Sequence, residues 1–321
     1  MTDPEVHPEV AETAEEIATM EIRGAATIAA GAAGALATQA RESDAETPEA
    51  FWAELRQAAK RLYETRPTAV SLPNALRFVL ADVHGDTVAE LRESAVESAA
   101  EFQRELDQAQ DRLGKVGANR LRDGDVVMTH CHSTDALSCV KAALDQGKHV
   151  EAIVKETRPR KQGHITAEQL REWGVPVTLV VDSAARRYLN DVDHVLVGAD
   201  SIAADGSVIN KIGTSGLAVN ARDRGTPTMV AAQTIKLHPD TLTGHTVEIE
   251  MRDETEVIGA DDRERIQGDP DGFTVENPAF DVTPPRFVDA IVTERGQFPP
   301  ESIVVLMREL FGRDTARPWE G

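Results

Sequence analysis

The spacing of apolar residues changes between positions 114 and 124, and this change constrains the fold of the 321-residue chain most strongly. Before it, apolar residues recur at helical spacing. After it, short apolar runs alternate with helix-like segments. The runs span 125–130, 150–154, 177–181, 194–199 and 228–232. Such alternation predicts a mainly parallel sheet with right-handed crossovers. We therefore predict a helical domain over residues 1–118 and an α/β domain over residues 119–321.

The remaining segments of the second domain are predicted from weaker patterns. The helix-like segments between the runs span 134–146, 167–173, 184–189 and 215–224. Residues 201–215 are predicted to form a loop with a tight turn at Asp205-Gly206. From residue 248 the chain is predicted to pass through two acidic, loop-like stretches to a last helix over 301–311.

Two of the apolar runs end in chemically versatile side chains that we expect to be buried. Cys131 ends the first run, just before a helix start at Ser133-Thr134, and Asp200 ends the fourth. Because ligands of open α/β sheets bind beyond the carboxyl ends of the strands, both side chains are predicted to face one pocket. There a thiolate and a carboxyl group can act as general base and general acid. Core packing of the cysteine and helix capping by the aspartate are the structural alternatives.

Other segments have the composition of a phosphate site. Asn210-Lys211 precedes a Gly-Thr-Ser helix start at 213–215, and an amide, an ammonium group and helix N–H groups together suit a phosphate. Arg66 and Lys236 stand at the ends of predicted elements, as does Arg23, which precedes a segment rich in small residues. Each cation alone is more often part of a surface salt bridge. Together they could hold two phosphates.

The charge of the chain restricts its partners. A formal charge of −21 argues against nucleic acid and against anionic membrane surfaces, because both would repel the protein. Only 8 of the 34 basic residues are Lys, and abundant Asp and Glu with scarce Lys is typical of a high-salt cytoplasm. We therefore predict a halophilic source, and a stability that falls in a melting series as KCl is removed.

Metal, disulfide and membrane-spanning structures lack support in the sequence. Cys131 and Cys139 fit neither a zinc pair nor a disulfide framework. His130 and His132 flank Cys131 without further ligands at zinc spacing, so we interpret them as pocket lining or structure. No P-loop, G-x-G-x-x-G or G-x-S-x-G motif is present. No stretch is apolar and long enough to span a bilayer, and the acidic start is unlike a signal peptide, so we predict a cytoplasmic protein.

Five segments together resemble the superfamily that joins ribose-1,5-bisphosphate isomerases, methylthioribose-1-phosphate isomerases and the regulatory subunits of initiation factor 2B. They occur in the expected order across most of the chain. The segments are Arg23-Gly24-Ala25-Ala26, Glu156-Thr157-Arg158-Pro159, Gly198-Ala199-Asp200-Ser201-Ile202, Asn210-Lys211-Ile212-Gly213-Thr214 and Glu276-Asn277-Pro278-Ala279-Phe280-Asp281-Val282-Thr283-Pro284. The resemblance implies an N-terminal helical domain followed by a Rossmann-like α/β domain.

A few positions separate the branches of this superfamily. The isomerases carry a Cys and an Asp that match Cys131 and Asp200, whereas the regulatory subunits typically lack the pair. Cys131-His132-Ser133 is similar to the archaeal ribose-1,5-bisphosphate isomerases and differs from the Cys-Asn-Thr-Gly of the methylthioribose-phosphate enzymes. The chain departs from the archaeal pattern at Asp135, since a basic residue is expected near this position.

The resemblance implies conversion of α-D-ribose 1,5-bisphosphate to D-ribulose 1,5-bisphosphate in archaeal AMP and nucleoside degradation, by a homo-oligomer (dimer or hexamer) without metal or cofactor. Cys131 would take the C2 proton, and Asp200, kept protonated by an apolar site, would protonate O1 and help deliver a proton to C1 through a phosphoenolate. A methylthioribose-1-phosphate or other sugar-1-phosphate isomerase and a non-catalytic regulatory subunit are the alternatives. The implied substrate contacts are Arg23, Gly24, Ala25, Ala26, Arg66, Ser133, Thr134, Asp135, Asn210, Lys211 and Lys236.

Overall fold

The computed structural model describes residues 6–22, 24–267, 272–312 and 317–320, so that the predicted contact Arg23 lies outside the described residues. The chain divides into two compact units. The helical unit comprises Met1–Gln110, Thr234–His238 and Arg308–Gly321, and the α/β unit comprises Asp111–Gln233 and Pro239–Met307. The helical unit thus ends before the predicted residue 118 and includes two later segments, one of which carries Lys236.

The N-terminal helices follow the predicted spacing of apolar residues. They are α1 (Pro8–Ala18), α2 (Ala25–Glu42), α3 (Pro48–Tyr63), α4 (Ser71–Ala81) and α5 (Val88–Ala118), which continues into the α/β unit. Helix α3 shows why these segments are helical. Thr47 caps it by accepting the N–H of Ala50 at 3.2 Å, and Pro48 suits the first helical position. Its apolar positions at helical spacing are all buried, namely Phe51, Leu55, Ala58, Ala59 and Leu62.

The strands lie mostly in the α/β unit. They are β1 (Asp125–Thr129), β2 (Val150–Lys155), β3 (Val177–Val180), β4 (His194–Val197), β5 (Ser201–Ala203), β6 (Val208–Lys211), β7 (Thr228–Ala231), β8 (Leu237–His238, in the helical unit), β9 (Phe280–Thr283), β10 (Ala290–Thr293) and β11 (Gly296–Phe298). The later helices are α6 (Thr134–Asp145), α7 (Gln162–Glu172), α8 (Ala185–Tyr188), α9 (Thr214–Arg224), α10 (Ala260–Gln267) and α11 (Ile303–Phe311). The five predicted strands are confirmed as β1, β2, β3, β4 and β7.

The main sheet has a doubly wound order. Within the described part of the chain its strands pair as β11-β10-β7-β4-β1-β2-β3. Neighbouring strands are parallel except β10 and β11, which are antiparallel. From β1 the chain builds outward through β2 and β3, and then returns to the other side of β1 with β4. The predicted Rossmann-like α/β fold, with a helical N-terminal region, is confirmed.

The prediction of a loop over 201–215 is wrong, and the predicted tail lacks the strands β9, β10 and β11, although its last helix is confirmed as α11. The first segment forms β5 and β6, which pair antiparallel around the Asp205-Gly206 turn, and β6 also pairs with β9. The tail contributes β10, which is buried beside β7, and the edge strand β11. These strands have only three or four residues, and such short runs show no clear period in the sequence. No described helix combines the length and apolar character needed to cross a membrane.

Candidate active site

The strand ends that precede Cys131 and Asp200 lie side by side in the main sheet. Strand β1 pairs with β4 so that Val127 lies opposite His194. Carried forward in this register, Cys131 comes level with Gly198, just before Asp200. The order of the strands reverses between β1 and β4, because β2 and β3 lie on one side of β1 and β4 on the other. Such a switch point is where open α/β sheets bind their ligands.

Gly198 allows the turns after these two strands to pack closely. A Cβ at Gly198 would overlap both the Cβ and the hydroxyl of Ser133. Ser133 is the N-cap of α6, and its Oγ accepts the N–H of Ala136 at 3.2 Å. The start of α6 is therefore fixed against the end of β4, and a side chain at position 198 would displace it.

Cys131 has a backbone conformation that is rare for residues other than glycine. Its φ is 71°, in the left-handed region, which costs a residue with a Cβ roughly 1–2 kcal/mol. Its side chain is half-buried between the end of β1 and the start of α6. Strained residues of this kind persist only where their surroundings hold them, and they cluster at functional sites.

Two buried threonines hold the peptide groups of Cys131. The N–H of Cys131 donates to Oγ1 of Thr157 at 2.8 Å, and the hydroxyl of Thr166 donates to the carbonyl of Cys131 at 2.9 Å. Thr157 lies in the turn after β2, and Thr166 lies in α7. Both side chains are almost fully buried. The carboxylate of Asp182 in turn accepts the N–H of Thr157 at 3.0 Å.

His130 connects the Cys131 turn to the turn after β6. Its Nε2 lies 2.8 Å from the carbonyl oxygen of Ile212, and its Nδ1 lies 3.2 Å from Oγ1 of Thr157. Burial, followed by the charge of Lys155, lowers the pKa of His130 to about 4. The ring is therefore neutral near pH 7. Because a carbonyl oxygen only accepts hydrogen bonds, we assign the proton to Nε2, which leaves Nδ1 as an acceptor.

His132 contacts the other threonine. Its Nδ1 lies 3.0 Å from Oγ1 of Thr166, whose proton is already donated to Cys131. Nδ1 of His132 is therefore the donor in this contact. Burial lowers the pKa of His132, which also favours the neutral ring. In the ranges that the structure describes, no group of three or more His, Cys, Asp or Glu side chains is arranged to hold a metal ion.

Asp200 is exposed, so the expectation that an apolar site buries it is wrong. Its N–H donates to the carbonyl of Ile209 at 2.9 Å, and the next residue begins β5. After Gly198 the chain leaves the main sheet for the β5–β6 hairpin, which places Asp200 at the base of this hairpin. The carboxyl group of the isolated chain therefore has access to solvent.

The predicted amide and cation lie in β6 and are both buried. The Asn210 amide donates to Oγ1 of Thr214 at 3.0 Å, and the Thr214 hydroxyl donates to the carbonyl of Lys211 at 2.6 Å. The Lys211 ammonium lies 4.5 Å from the centre of the Phe280 ring, within the range of a cation–π contact. These contacts order the connection between β6 and α9 around the two predicted residues.

A carboxylate already occupies the N-terminus of α9, where the sequence predicts N–H donors to a phosphate. Asp281 accepts the N–H groups of Gly213 at 2.7 Å and of Ser215 at 3.0 Å. Burial raises the pKa of Asp281, opposed by these two N–H bonds and by the charge of Lys155. Lys155 is buried as well and donates to the carbonyl of Gly213 at 3.2 Å. In this structure the helix start is therefore satisfied by the protein itself.

The predicted contacts at the start of α6 have different environments. Thr134 is exposed and Ser133 is half-buried. Asp135 is fully buried and accepts the backbone N–H of Gln233 at 3.2 Å and its side-chain amide at 2.8 Å. Asp135 therefore ties α6 to the end of β7, and its burial argues against direct substrate contact through this side chain.

The helical unit contains the predicted contacts Gly24, Ala25, Ala26, Arg66 and Lys236. Gly24 precedes α2 with a φ of 85°, and no described side chain caps this helix start, which leaves it suited to an anion. Arg66 is half-buried. Lys236 is also half-buried, and the Asn74 side-chain amide fixes the segment around it by donating to the carbonyls of Ile235 and Leu237, at 2.9 and 2.7 Å.

Sequence reasoning missed several residues that build this site. Thr157 and Asp281 lie in two of the quoted superfamily segments, but no role was predicted for them. Thr166 and Gln233 had no sequence signal, since each acts on a residue far away in the chain. The available signal for Asn74 was a polar residue within a largely apolar helical segment, and the structure shows this residue to be buried in α4.

Fold, site and sequence agree on the class of protein. A family model described as the initiation factor 2 subunit family matches residues 21–300, and the chain belongs to this family. Two solved structures from Pyrococcus horikoshii share the fold. Its translation initiation factor eIF-2B has a TM-score of 0.76 at 30% identity, with 93% of this chain and 100% of that chain covered. Its 5-methylthioribose 1-phosphate isomerase has a TM-score of 0.74 at 33% identity, with 95% and 88% covered.

Curated relatives point to one branch of the family. The chain is 73% identical to the ribose 1,5-bisphosphate isomerase of Haloterrigena turkmenica, over 99% of this chain and 98% of the relative. It is 74% identical to the enzyme of the same name from Haloferax volcanii, over 99% and 97%. The resemblance predicted from the sequence segments is thereby confirmed. Both relatives come from haloarchaea, as the acidic, lysine-poor composition predicts.

Proposed function

We propose that this chain is an aldose–ketose isomerase that converts α-D-ribose 1,5-bisphosphate to D-ribulose 1,5-bisphosphate. The main support is that Cys131 and Asp200 follow the two strands that flank the switch point of the sheet, in a chain closely similar to curated ribose 1,5-bisphosphate isomerases. A base and an acid on neighbouring strand ends suit a reaction that moves a hydrogen between adjacent carbons.

Ring opening and proton abstraction form the first half of the proposed reaction. O1 carries a phosphate, so the bond that breaks is the one between C1 and the ring oxygen. Protonated Asp200 therefore donates its proton to the ring oxygen, and not to O1 as the sequence comparison implied. The Cys131 thiolate takes the proton from C2, and the electron pair of that C–H bond forms the C1–C2 double bond of a phosphoenol.

Proton return restores both groups in the second half. The Cys131 thiol gives its proton to C1 as the C2 hydroxyl becomes a ketone and passes its proton to the Asp200 carboxylate. Cys131 ends as a thiolate and Asp200 ends protonated, as both began. One carbon is oxidised and its neighbour is reduced, so the reaction needs no external oxidant or reductant.

The electrostatics of the α/β unit support these roles. Cys131 precedes the N-terminus of α6, and a helix N-terminus favours a thiolate. The exposure of Asp200 means that the free protein does not enclose it, so we propose that the substrate completes its environment. The negative charge of bound phosphates favours the protonated form of a nearby carboxyl group. Lys211 is a cation of this unit that can stabilise the negative charge of the intermediate.

The contacts of the helical unit and the oligomeric state extend the proposal. We propose that Arg66, Lys236 and the start of α2 bind substrate phosphate, because a cation or an uncapped helix start suits an anion. The chain is also proposed to form a homo-oligomer, either a dimer or a hexamer. Light scattering in high KCl measures the oligomer directly, and a monomeric mass would contradict this part of the proposal.

Turnover of two sugars by the full-length protein tests the function. In high KCl, wild type is expected to form ribulose 1,5-bisphosphate from ribose 1,5-bisphosphate, which phosphorus NMR follows, and to leave methylthioribose 1-phosphate unchanged. Cys131→Ser is expected to abolish the reaction. The opposite preference would instead favour the methylthioribose-phosphate alternative, which relatives 38% identical support. Binding of sugar phosphates without any turnover would favour the regulatory-subunit alternative, which the similarity to solved initiation factor structures supports.

A further inference from the structure

The two histidines beside Cys131 and the two threonines that contact it form a symmetric arrangement. On one side, Thr157 accepts the N–H of Cys131 and lies next to His130. On the other side, Thr166 donates to the carbonyl of Cys131 and lies next to His132. We call these four residues the cysteine clamp. Each peptide group of Cys131 is thus held by one threonine, and each threonine contacts one of the two histidines.

The proton positions in the clamp follow from the neutral state of both rings. On the His130 side, the ring donates from Nε2 to Ile212, so the lone pair of Nδ1 needs a donor. The hydroxyl of Thr157 has two acceptors in reach, Nδ1 of His130 at 3.2 Å and the carbonyl of Lys155 at 3.1 Å. Donation to His130 leaves a lone pair of Oγ1 directed at the N–H of Cys131. Without this donation, the buried Nδ1 of His130 would remain unsatisfied.

The His132 side runs in the opposite direction. His132 donates from Nδ1 to Oγ1 of Thr166, and the hydroxyl of Thr166 donates to the carbonyl of Cys131. The clamp therefore presents an acceptor to the N–H and a donor to the carbonyl of the same residue. This combination opposes rotation of either peptide group, and it explains how Cys131 keeps a φ of 71° despite the cost to a residue with a Cβ.

We propose that Thr157 and Thr166 are positioning residues that hold the Cys131 thiol in its reactive place, and that His130 and His132 orient the two threonine hydroxyls. This inference rests on the proposed role of Cys131 as the base. The connection through His130 to Ile212 also links the Cys131 turn to the residue after Lys211. The clamp thereby couples the place of the base to the place of the cation.

Paired substitutions of the threonines test the clamp. Thr157→Val and Thr166→Val keep the shape of the side chain and remove the hydroxyl, whereas Thr157→Ser and Thr166→Ser keep the hydroxyl. Thr226→Val is the matched control, because Thr226 is a buried threonine whose hydroxyl donates only to the carbonyl of Leu189 among the contacts described. Thermal unfolding in high KCl identifies any variant that fails to fold. If the variant at one threonine fails to fold, the variant at the other threonine still tests the clamp.

Two measurements distinguish a failure of the proposed clamp from a failure of the proposed function. The first is kcat and KM on ribose 1,5-bisphosphate, where each Val variant is expected to lose about 10²-fold in kcat with little change in KM. The second is the alkylation rate of the protein by iodoacetamide at pH 7, which needs no substrate. Burial raises the pKa of Cys139 to about 12, so the reaction reports Cys131, and Cys131→Ala measures the background.

The expected alkylation result is a fall of about tenfold in each Val variant, because the thiol moves away from the start of α6. The Ser variants and Thr226→Val are expected to stay near the wild-type rate. Unchanged alkylation and unchanged kcat in folded Val variants would overturn the clamp. A wild type inactive on the sugar, but with the expected alkylation pattern, would overturn the proposed function and leave the positioning of the thiol supported.

Discussion

The turns that carry Cys131 and Asp200 begin at neighbouring strand ends but are built in different ways. The Cys131 turn is left-handed, half-buried and held by side chains from α7 and from the turn after β2. The Asp200 turn is exposed and enters a hairpin through the backbone bond from its N–H to Ile209. One turn is fixed by buried hydroxyl groups, and the other is set by the pairing of two short strands.

This difference indicates that the two groups meet the substrate differently. The proposed base has its place fixed before substrate arrives, since every backbone polar group of Cys131 has a buried partner. The proposed acid depends on the substrate to exclude water from its surroundings. Preorganising the base alone is sufficient when the substrate brings negative charge that keeps the acid protonated.

The largest expected effect compares one conservative substitution at each of the two proposed catalytic positions. Cys131→Ser leaves a weak base in a rigid place and is expected to lower kcat by about 10⁴-fold. Asp200→Glu keeps a carboxyl group on an exposed turn that can adjust, and it is expected to lose about 10²-fold. Steady-state kinetics in high KCl measure both. If Asp200→Glu is as inactive as Cys131→Ser, the Asp200 turn does not adjust to the longer side chain.

The next effect concerns stability and follows from the lowered pKa of His130. Its pKa is about 4 in the folded protein, against an ordinary value of 6.5. Between these values the unfolded chain binds a proton that the folded protein excludes, so the free energy of unfolding falls as the pH decreases from 6.5 to 4. The difference is on the order of 3 kcal/mol. Burial, and then the charges of Lys155 and Lys211, lower this pKa, whereas the bond to Ile212 and the charge of Asp182 raise it.

His130→Gln is expected to flatten that dependence, because glutamine carries no titrating group. Denaturant unfolding in KCl at pH 4.5 and at pH 6.5 measures the slope. His245→Gln is the control, since this side chain is exposed and its loss is expected to change the slope little. A wild-type slope in His130→Gln would show that the ring is not held neutral, and the proton positions assigned to the His130 side of the clamp would then be wrong.

The sequence predicted the parts of the site that depend on local pattern. Strands β1 and β4 are apolar runs, and the polar residue that ends each run is visible without a structure. Their common edge followed from the rule that parallel strands expose their carboxyl ends together. The mainly parallel sheet and the helical N-terminal region were likewise predictable from the rhythm of the runs and from the family resemblance.

The parts that the sequence could not predict depend on contacts between distant residues. Asp281 caps α9 from 66 residues away, and Thr166 reaches Cys131 across 35 residues. A lone Asp or Thr gives no local signal for such a partner. The burial of Asp200 was predicted from the apolar run before it, but the chain turns at Gly198 into a hairpin whose strands are too short to recognise. Contacts between residues far apart in the sequence therefore determine each of these structural features.

The smallest expected effect tests whether the two turns depend on each other. Gly198→Ala places a Cβ against the Cβ and hydroxyl of Ser133, so α6 has to shift and the protein is expected to lose about 2 kcal/mol of stability. Gly216→Ala is the control, because a Cβ at this position in α9 meets nothing within 4 Å and should stabilise the helix by about 0.5–1 kcal/mol. Denaturant unfolding measures both, and kcat separates two outcomes. A fall in kcat together with slower alkylation of Cys131 means that the shift of α6 disturbs the base. A fall in kcat with unchanged alkylation means that the clamp holds Cys131 in place and that only the Asp200 turn has moved.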